Sequence, residues 1–205
     1  MRKTSKASDA RPGGSPQGRF RIIGGEWRGR RLPVPAGSAV RPTPDRVRET
    51  LFNWLAPVIQ GARCLDLYAG SGALGLEALS RGAARAVFVD RAPAVLRQIA
   101  ASLETLKCAR GETVCRDAMK YLGGAATPFD IVFLDPPYRE GLVAPALARL
   151  VAGGWLAAGA SVYLEHEADI EPPALPAGWR LFRSARAGRV RYHLARPEHP
   201  PAGHP

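Results

Sequence analysis

The sequence predicts an α/β protein built on a mostly parallel seven-stranded sheet with helices on both faces, one antiparallel strand at its C-terminal end and a small N-terminal β-hairpin. Three observations predict it. Short apolar runs alternate with stretches of helical spacing from Ala62 to Glu165. A glycine-rich turn, Asp66 to Gly75, joins the first of those runs to a helix, and two late extended runs, Trp179 to Ala185 and Arg189 to Ala195, flank Ala187-Gly188 as a hairpin does. At 205 residues and 46% hydrophobic, the chain suffices for one well-buried domain plus a small appendage.

Each element has its own signal. Met1 to Gly18 is polar, rich in Ser, Gly and Pro and without periodicity, which predicts a disordered basic tail over residues 1–18. Phe20, Ile22 and Ile23 lead into Gly24-Gly25, and Pro33 and Pro35 keep the run from Arg30 to Val34 out of a helix, so residues 19–36 are predicted to form the hairpin. It holds Arg19, Arg21, Arg28, Arg30 and Arg31 around Trp27, a basic surface with an aromatic that suits phosphates and a stacked base. Thr43-Pro44-Asp45 predicts a helix start: a hydroxyl cap, proline at the first helical position and a carboxylate near the positive end of the dipole. Val47, Leu51, Trp54, Leu55 and Val58 then recur at helical spacing. Strands are predicted at Ala62 to Tyr68, Ala86 to Asp90, Glu112 to Arg116, Asp130 to Asp135 and Ser161 to Glu165. Helices are predicted at Leu74 to Arg81, Ala94 to Lys107, Ala118 to Leu122 and Leu142 to Val151. Residues 37–196 form the main domain in this reading, and 197–205 a flexible tail.

Charge is unevenly spread. Of the net +11, residues 1–48 carry twelve Lys/Arg against three Asp/Glu (+9), residues 49–179 eleven against fourteen (−3), and residues 180–205 six against one (+5). A mildly acidic body between basic ends suits an enzyme that grips a polyanion, although arginine-rich ends also serve solubility alone. No apolar run reaches the roughly 18 residues of a membrane span, and the basic start lacks the apolar stretch of a secretory signal, so a soluble, cytoplasmic protein is expected. Cys64, Cys108 and Cys115 lack C-x-x-C spacing, and His166, His193, His199 and His204 lack ligand spacing. Neither a disulfide framework nor a metal is expected, and the histidines read as structural or solvent-exposed.

Asp66-Leu67-Tyr68-Ala69-Gly70-Ser71-Gly72-Ala73-Leu74-Gly75 runs from a strand end through a glycine turn into a helix, where free N–H groups and a closely approachable backbone meet a ligand. Gly70, Gly72 and Gly75 satisfy G-x-G-x-x-G, so a dinucleotide is one candidate. S-adenosylmethionine is the better one, because Asp66 at the strand end can face the cationic amino-acid end of that cofactor and would repel a pyrophosphate. Asp90 ends the next strand and suits ribose hydroxyls in either cofactor. Asp117 follows the third strand; it can accept from an adenine amino group, cap the helix at Ala118, or do both.

Phe129 to Leu134 is an apolar strand that ends in Asp135-Pro136-Pro137-Tyr138, which places a polar head at the carboxyl edge of the sheet, where ligands bind in open α/β folds. Asp-Pro-Pro is also ordinary turn chemistry. An exocyclic amine on an aromatic base is a poor nucleophile, and alkylating it needs acceptors that hold both N–H bonds in line with the donor. Asp135 can supply one acceptor and the carbonyl of Pro136, aimed by consecutive prolines, the other. Tyr138 offers a flat face for an extruded base.

The segments Arg21 to Pro35, Val40 to Pro57, Cys64 to Gly82 and Ile131 to Tyr138 resemble the bacterial 16S rRNA (guanine-N2)-methyltransferases of the RsmD family. The likeness runs from about Arg19 to Arg196, and Arg41 to Trp54 is its most family-specific stretch. It implies a Rossmann-like class I S-adenosylmethionine-dependent methyltransferase domain whose N-terminal hairpin helps engage RNA. The implied substrate is the N2 amino group of one guanine in 16S rRNA, within a protein-bound or assembled small ribosomal subunit, and a monomeric enzyme is expected. Carried onto this chain, the cofactor meets Asp66, Tyr68, Ala69, Gly70, Ser71, Gly72, Arg91 and Ala118, with Asp90 at the ribose and Asp117 at the adenine. Asp135, Pro136, Pro137 and Tyr138 hold the guanine. Arg41, Thr43 and Arg46 join Arg21, Trp27, Arg28, Arg30 and Arg31 as substrate contacts. DNA adenine-N6, DNA cytosine-N4 and protein glutamine methyltransferases use the same geometry, and Asp at the first tetrad position leans towards a base. An NAD-dependent oxidoreductase would account for the glycine loop and a non-catalytic RNA-binding protein for the charge, but both leave the tetrad idle.

Overall fold

The computed structural model describes residues 18–35 and 43–199. In chain order the elements are β1 (Arg19–Arg21), β2 (Arg31–Pro33), α1 (Asp45–Leu55), β3 (Arg63–Asp66), α2 (Ala73–Ser80), β4 (Arg85–Asp90), α3 (Pro93–Thr105), β5 (Gly111–Cys115), α4 (Ala118–Tyr121), β6 (Phe129–Leu134), α5 (Val143–Ala152), β7 (Leu156–Glu167), β8 (Trp179–Ala187) and β9 (Val190–Pro197). β1 and β2 pair antiparallel in a sheet of their own, and the other seven strands run in the order β5-β4-β3-β6-β7-β9-β8. Only β9 is reversed. It is last in the chain but lies between β7 and β8, so the edge strand is β8.

Alternation along the strands divides the core in two. Cys64, Ile131 and Phe133 point to one face, where they meet residues of α1, α2, α3 and the hairpin, while Leu65, Val132 and Leu134 point to the other, towards α4 and α5. Parallel register then fixes where the chemistry goes. Asp66 pairs with Phe88 of β4 and Phe133 of β6, so the carboxyl ends of these strands share one edge, and the loops that follow them open there.

The hairpin is welded to α2 rather than suspended from it. Ile23 and Gly24 donate their backbone N–H groups to Glu77 Oε2 and Oε1, both at 2.8 Å, and Glu26 N–H donates to Ser80 O at 2.7 Å. Gly25 (φ +77°) makes this approach feasible: a Cβ there would lie 1.8 Å from Ser80 O. Glu77 is fully buried, accepts from Arg81 Nε at 2.7 Å and faces Arg48 Nη1 at 3.5 Å. Arg48, fully buried as well, donates from Nε to Thr43 O and from Nη2 to Asp45 Oδ1, and its guanidinium lies 5.6 Å from the centre of the Phe20 ring.

The fold places Trp27 and Thr43 otherwise than the sequence predicts. Trp27 does not present a stacking face to substrate; it is 6% exposed, packs in the core and lies under Arg110, 5.5 Å away, because the Gly25 turn folds it onto α2, where its backbone N–H donates to Ser80 Oγ. Thr43 does not cap α1 with its hydroxyl. Pro44 is the N-cap, without a side-chain cap bond, and Thr43 is buried with its carbonyl held by Arg48, which removes it from the substrate surface too.

Candidate active site at the carboxyl edge of the sheet

The glycine loop is tied down by the acids at the strand ends. Asp66 Oδ2 accepts the N–H of Gly75, third residue of α2, at 2.9 Å; no described residue donates to its other oxygen. Burial pushes the Asp66 carboxyl up to about 7; the Gly75 N–H pulls the other way, and the charge of Asp90 adds to the rise. Asp90 closes the loop from β4, with Oδ2 accepting from Gly70 N–H at 3.0 Å and Oδ1 from Ala92 N–H at 2.8 Å. Gly70 and Gly72 take φ of +51° and +73°, a conformation that side-chain-bearing residues avoid, and Gly72 is the N-cap of α2. Ala69 and Ser71 are buried in the same turn, and Arg91 is exposed beside it.

Asp117 acts as the cap of α4, Oδ1 accepting from Lys120 N–H at 3.0 Å, while Ala118 is buried beneath it. Tyr68, at the start of the glycine loop, carries a buried hydroxyl without a hydrogen-bond partner among the described residues. Burial, with the charges of Asp117 and Glu140, pushes its phenol up to about 12. A buried hydroxyl that lacks a partner is costly in the free protein and is satisfied by a polar ligand. Three strand-end carboxylates, a positive-φ glycine turn at a helix N-terminus and this orphaned hydroxyl form a donor and acceptor set that fits S-adenosylmethionine, whose ends are an ammonium-bearing amino acid and an adenosine.

One strand over, β6 ends at Leu134 and the tetrad begins. Asp135 is half-buried and accepts no hydrogen bond from the described residues, and its carboxyl is held well above the usual range, first by burial, then by the charges of Glu165 and Asp66. Pro136 is buried and Pro137 exposed. Tyr138 is 50% exposed, with its ring open to solvent and its hydroxyl donating to Glu165 Oε1 at 2.6 Å. The second oxygen of Glu165 accepts from Tyr163 at 2.5 Å, and Glu167 accepts the backbone N–H of Arg139 (φ +63°), the residue after the tetrad.

Glu165 and Tyr163 were not among the sequence candidates. Glu165 is 4% exposed; burial raises its pKa, and the two tyrosine hydroxyls and His166 oppose that rise. A signal for it exists, since it sits near the end of an apolar strand as Asp66, Asp90 and Asp135 do. Its partner becomes visible only from the pairing of Leu134 with Leu164, which sets Asp135 and Glu165 side by side.

Away from this edge, Arg28, Arg30, Arg31 and Arg46 are exposed, and Arg21 is exposed but paired with Asp45 at 3.2 Å. Arg41 lies outside the described residues. His166 and His193 are buried and hydrogen-bonded to each other through Nε2 atoms 2.9 Å apart, and Ser184 contacts His193 Nδ1 at 2.7 Å. Burial, then His166 and Arg191, lowers His193 to about 4, so it stays neutral near pH 7. Among the described residues no helix is long and apolar enough to cross a membrane.

Over residues 20–196 the chain matches the family described as conserved hypothetical protein 95. It is 52% identical over 184 residues to ribosomal RNA small subunit methyltransferase D of Escherichia coli (strain K12), covering 90% of this chain and 93% of that one. The protein of the same name from Haemophilus influenzae is 43% identical over 182 residues, 87% and 94% of the two chains. Among solved structures, the Escherichia coli protein yhhF superposes with a TM-score of 0.83 at 51% identity over 88% of this chain and 98% of that one. An RNA methyltransferase from Salinibacter ruber in complex with S-adenosyl-L-homocysteine shares the fold, with a TM-score of 0.58 at 18% identity over 80% and 99% of the chains.

Proposed function

This chain belongs to the ribosomal RNA small subunit methyltransferase D family, and from that membership and the geometry of the carboxyl edge we propose that it methylates the exocyclic N2 amino group of a guanine in 16S rRNA, with S-adenosylmethionine as donor. The observation that carries the reading is the placement of Asp135, free of hydrogen-bond partners among the described residues, at the end of β6 beside the end of β3, where Asp66 and the glycine loop lie. Bound there, S-adenosylmethionine supplies an electrophilic methyl group on a sulfonium. Asp66 would hold its ammonium, Asp90 its ribose, and Asp117 its adenine with Tyr68 alongside.

The protein's own part is to orient and hold the amine. The guanine N2 lone pair is delocalised into the ring, and it becomes available when both N–H bonds are held by acceptors that favour positive charge on nitrogen. Asp135 takes one hydrogen and the Pro136 carbonyl the other. Pro136 and Pro137 have fixed φ and no N–H, so this acceptor pair has little freedom to lose on binding. Tyr138 stacks on the base, and its hydroxyl, anchored on buried Glu165, keeps the ring from swinging into solvent. The exposed arginines of the hairpin and of the start of α1 neutralise phosphates around the target. The protein works as a monomer in the cytoplasm, on rRNA already within an assembling small subunit.

The test is a transfer assay with labelled methyl donor, offering small subunits from a strain lacking the enzyme, naked 16S rRNA and duplex DNA, followed by digestion to nucleosides. N2-methylguanosine from the ribosomal substrates, with DNA unlabelled, is the expected product. Label in N6-methyladenine or N4-methylcytosine would overturn the assignment of the base.

A further inference from the structure

The edge of the sheet farthest from β5 carries a second charged feature. Along β8, Leu181 is opposite Ala195 and Arg183 opposite Leu194, which leaves Phe182 as an extra residue without a partner on β9. Such a bulge bends an edge strand and re-aims its side chains. Here it makes the Phe182 ring a hub for three guanidiniums, with the Cζ atoms of Arg183, Arg196 and Arg180 at 4.3, 4.6 and 5.7 Å from its centre. Phe182 packs against the apolar cluster that also holds the hairpin and α1, so this hub and the hairpin's basic surface belong to the same side of the sheet.

Some arginines of the fold are matched with acids, while others, Arg28, Arg30 and Arg31 of the hairpin among them, have no carboxylate partner among the described residues. Arg21, Arg48, Arg63, Arg81, Arg85 and Arg110 each pair with a carboxylate. Arg180 and Arg183 are exposed and have no carboxylate partner among the described residues. Arg196, partly buried, donates from Nε to Ser161 Oγ at 2.9 Å, and its pKa is lowered first by burial and then by Arg183. Charged side chains also blunt an edge strand against aggregation. Arg180 and Arg183, both exposed and converging on the Phe182 ring, repel each other, and an anion seated between them relieves that repulsion.

The geometry points to a phosphodiester-binding surface: Arg180 and Arg183, gathered with Arg196 on bulged Phe182, grip the RNA backbone of the substrate, as a second anchor on the same side of the sheet as the hairpin. Guanidinium forks match phosphate oxygens in pairs, and aromatic contact holds the forks flat. The identity of that RNA as rRNA rests on the function proposed above; the presence of the anchor does not.

The experiment measures equilibrium binding of the full-length protein to a 16S rRNA fragment and, separately, to cofactor, across a salt series. The double variant Arg180→Gln/Arg183→Gln is expected to bind RNA roughly tenfold or more weakly near 0.15 M salt, and to lose about 1.4 to 1.8 from the slope of log affinity against log salt. Cofactor affinity stays at the wild-type value. Should the double variant fail to fold, Arg180→Gln alone carries the test, with a slope loss of about 0.7 to 0.9. RNA affinity and slope equal to wild type overturn the anchor, and so does a variant whose sole defect is self-association, because that assigns the arginines to edge protection. Binding that weakens as expected in a protein that methylates no RNA upholds the anchor and sinks the functional reading. A wild type that binds no RNA sinks both.

Discussion

Asp135 and Glu165 lie next to each other at adjoining strand ends, and this pairing governs how the site titrates. In the proposed transfer Asp135 must be ionised to hold the amine hydrogen, yet burial and the neighbouring Glu165 charge raise its pKa. Transfer therefore falls towards acid over a range above that of an ordinary carboxylate. Glu165→Gln removes the like charge, so the acid limb of kcat/KM moves to lower pH. The same change leaves one of the two tyrosine hydroxyls without its acceptor, and a hydrogen bond to a charged group is worth about 1.5–3 kcal/mol, so kcat drops roughly tenfold to a hundredfold. If Glu165 acts through Tyr138, a double variant with Tyr138→Phe is little worse than either single change; additive losses contradict that. Asp66 makes an independent prediction. With its carboxyl at about 7, a cationic ligand must draw off its proton at lower pH, so cofactor affinity rises with pH, by up to about tenfold per unit, and levels off above 7. Asp66→Asn abolishes that slope, and calorimetry on the wild type and the variant measures it. Asp66, Asp90 and Asp135 were legible in sequence because each ends a strand and is followed by chain-breaking residues within a few positions. Glu165 was not, since its role depends on the register between two strands about 30 residues apart.

Among the elements, the hairpin shows how far a local signal carries. Its strands and the Gly24-Gly25 turn were readable, but an aromatic flanked by arginines looks the same whether it faces RNA or is folded under. The docking of Gly25 against Ser80 decides the matter, and that contact joins residues more than fifty positions apart. Similarly, nothing local in the sequence marks Glu77 and Arg48 as core residues, yet both are fully buried and hold the hairpin, α1 and α2 together. Glu77→Ala leaves Arg48 buried with Asp45 as its remaining acid and removes the acceptor for two hairpin N–H groups. It should cost about 3–5 kcal/mol in chemical denaturation and expose the hairpin amides to faster hydrogen exchange. A cost under about 1 kcal/mol would mean the weld is not structural. The helix and strand bounds predicted from 62 onwards fall close to the observed ones because βαβ alternation carries a strong periodic signal. β7 is the exception: it starts at Leu156, ahead of the predicted Ser161, where small residues break the apolar pattern, and its register with β6 shifts between Phe129 and Ile131.

For the whole molecule, sequence already separated an acidic body from basic ends, and the fold turns that linear pattern into geometry. The order β5-β4-β3-β6-β7-β9-β8 places the acids that hold the glycine loop near one end of the sheet, the tetrad near its middle and the arginine-bearing edge strand at the other end. That β9 inserts between β7 and β8 was not readable, because a hairpin signal fixes who pairs with whom but not which partner takes the edge. Neutralising Arg28, Arg30 and Arg31 to Gln should lower the salt slope of RNA binding by about 2 to 3 and leave cofactor binding alone; an unchanged slope would remove the hairpin from the RNA surface. In the proposed function, transfer depends on the acceptor pair at the end of β6. Single-turnover transfer to small subunits by Asp135→Ala, read beside its cofactor affinity, tests that most directly. A rate lowered by roughly 10²–10³-fold or more, with cofactor affinity within about twofold of wild type, is predicted; wild-type transfer by this variant would contradict it.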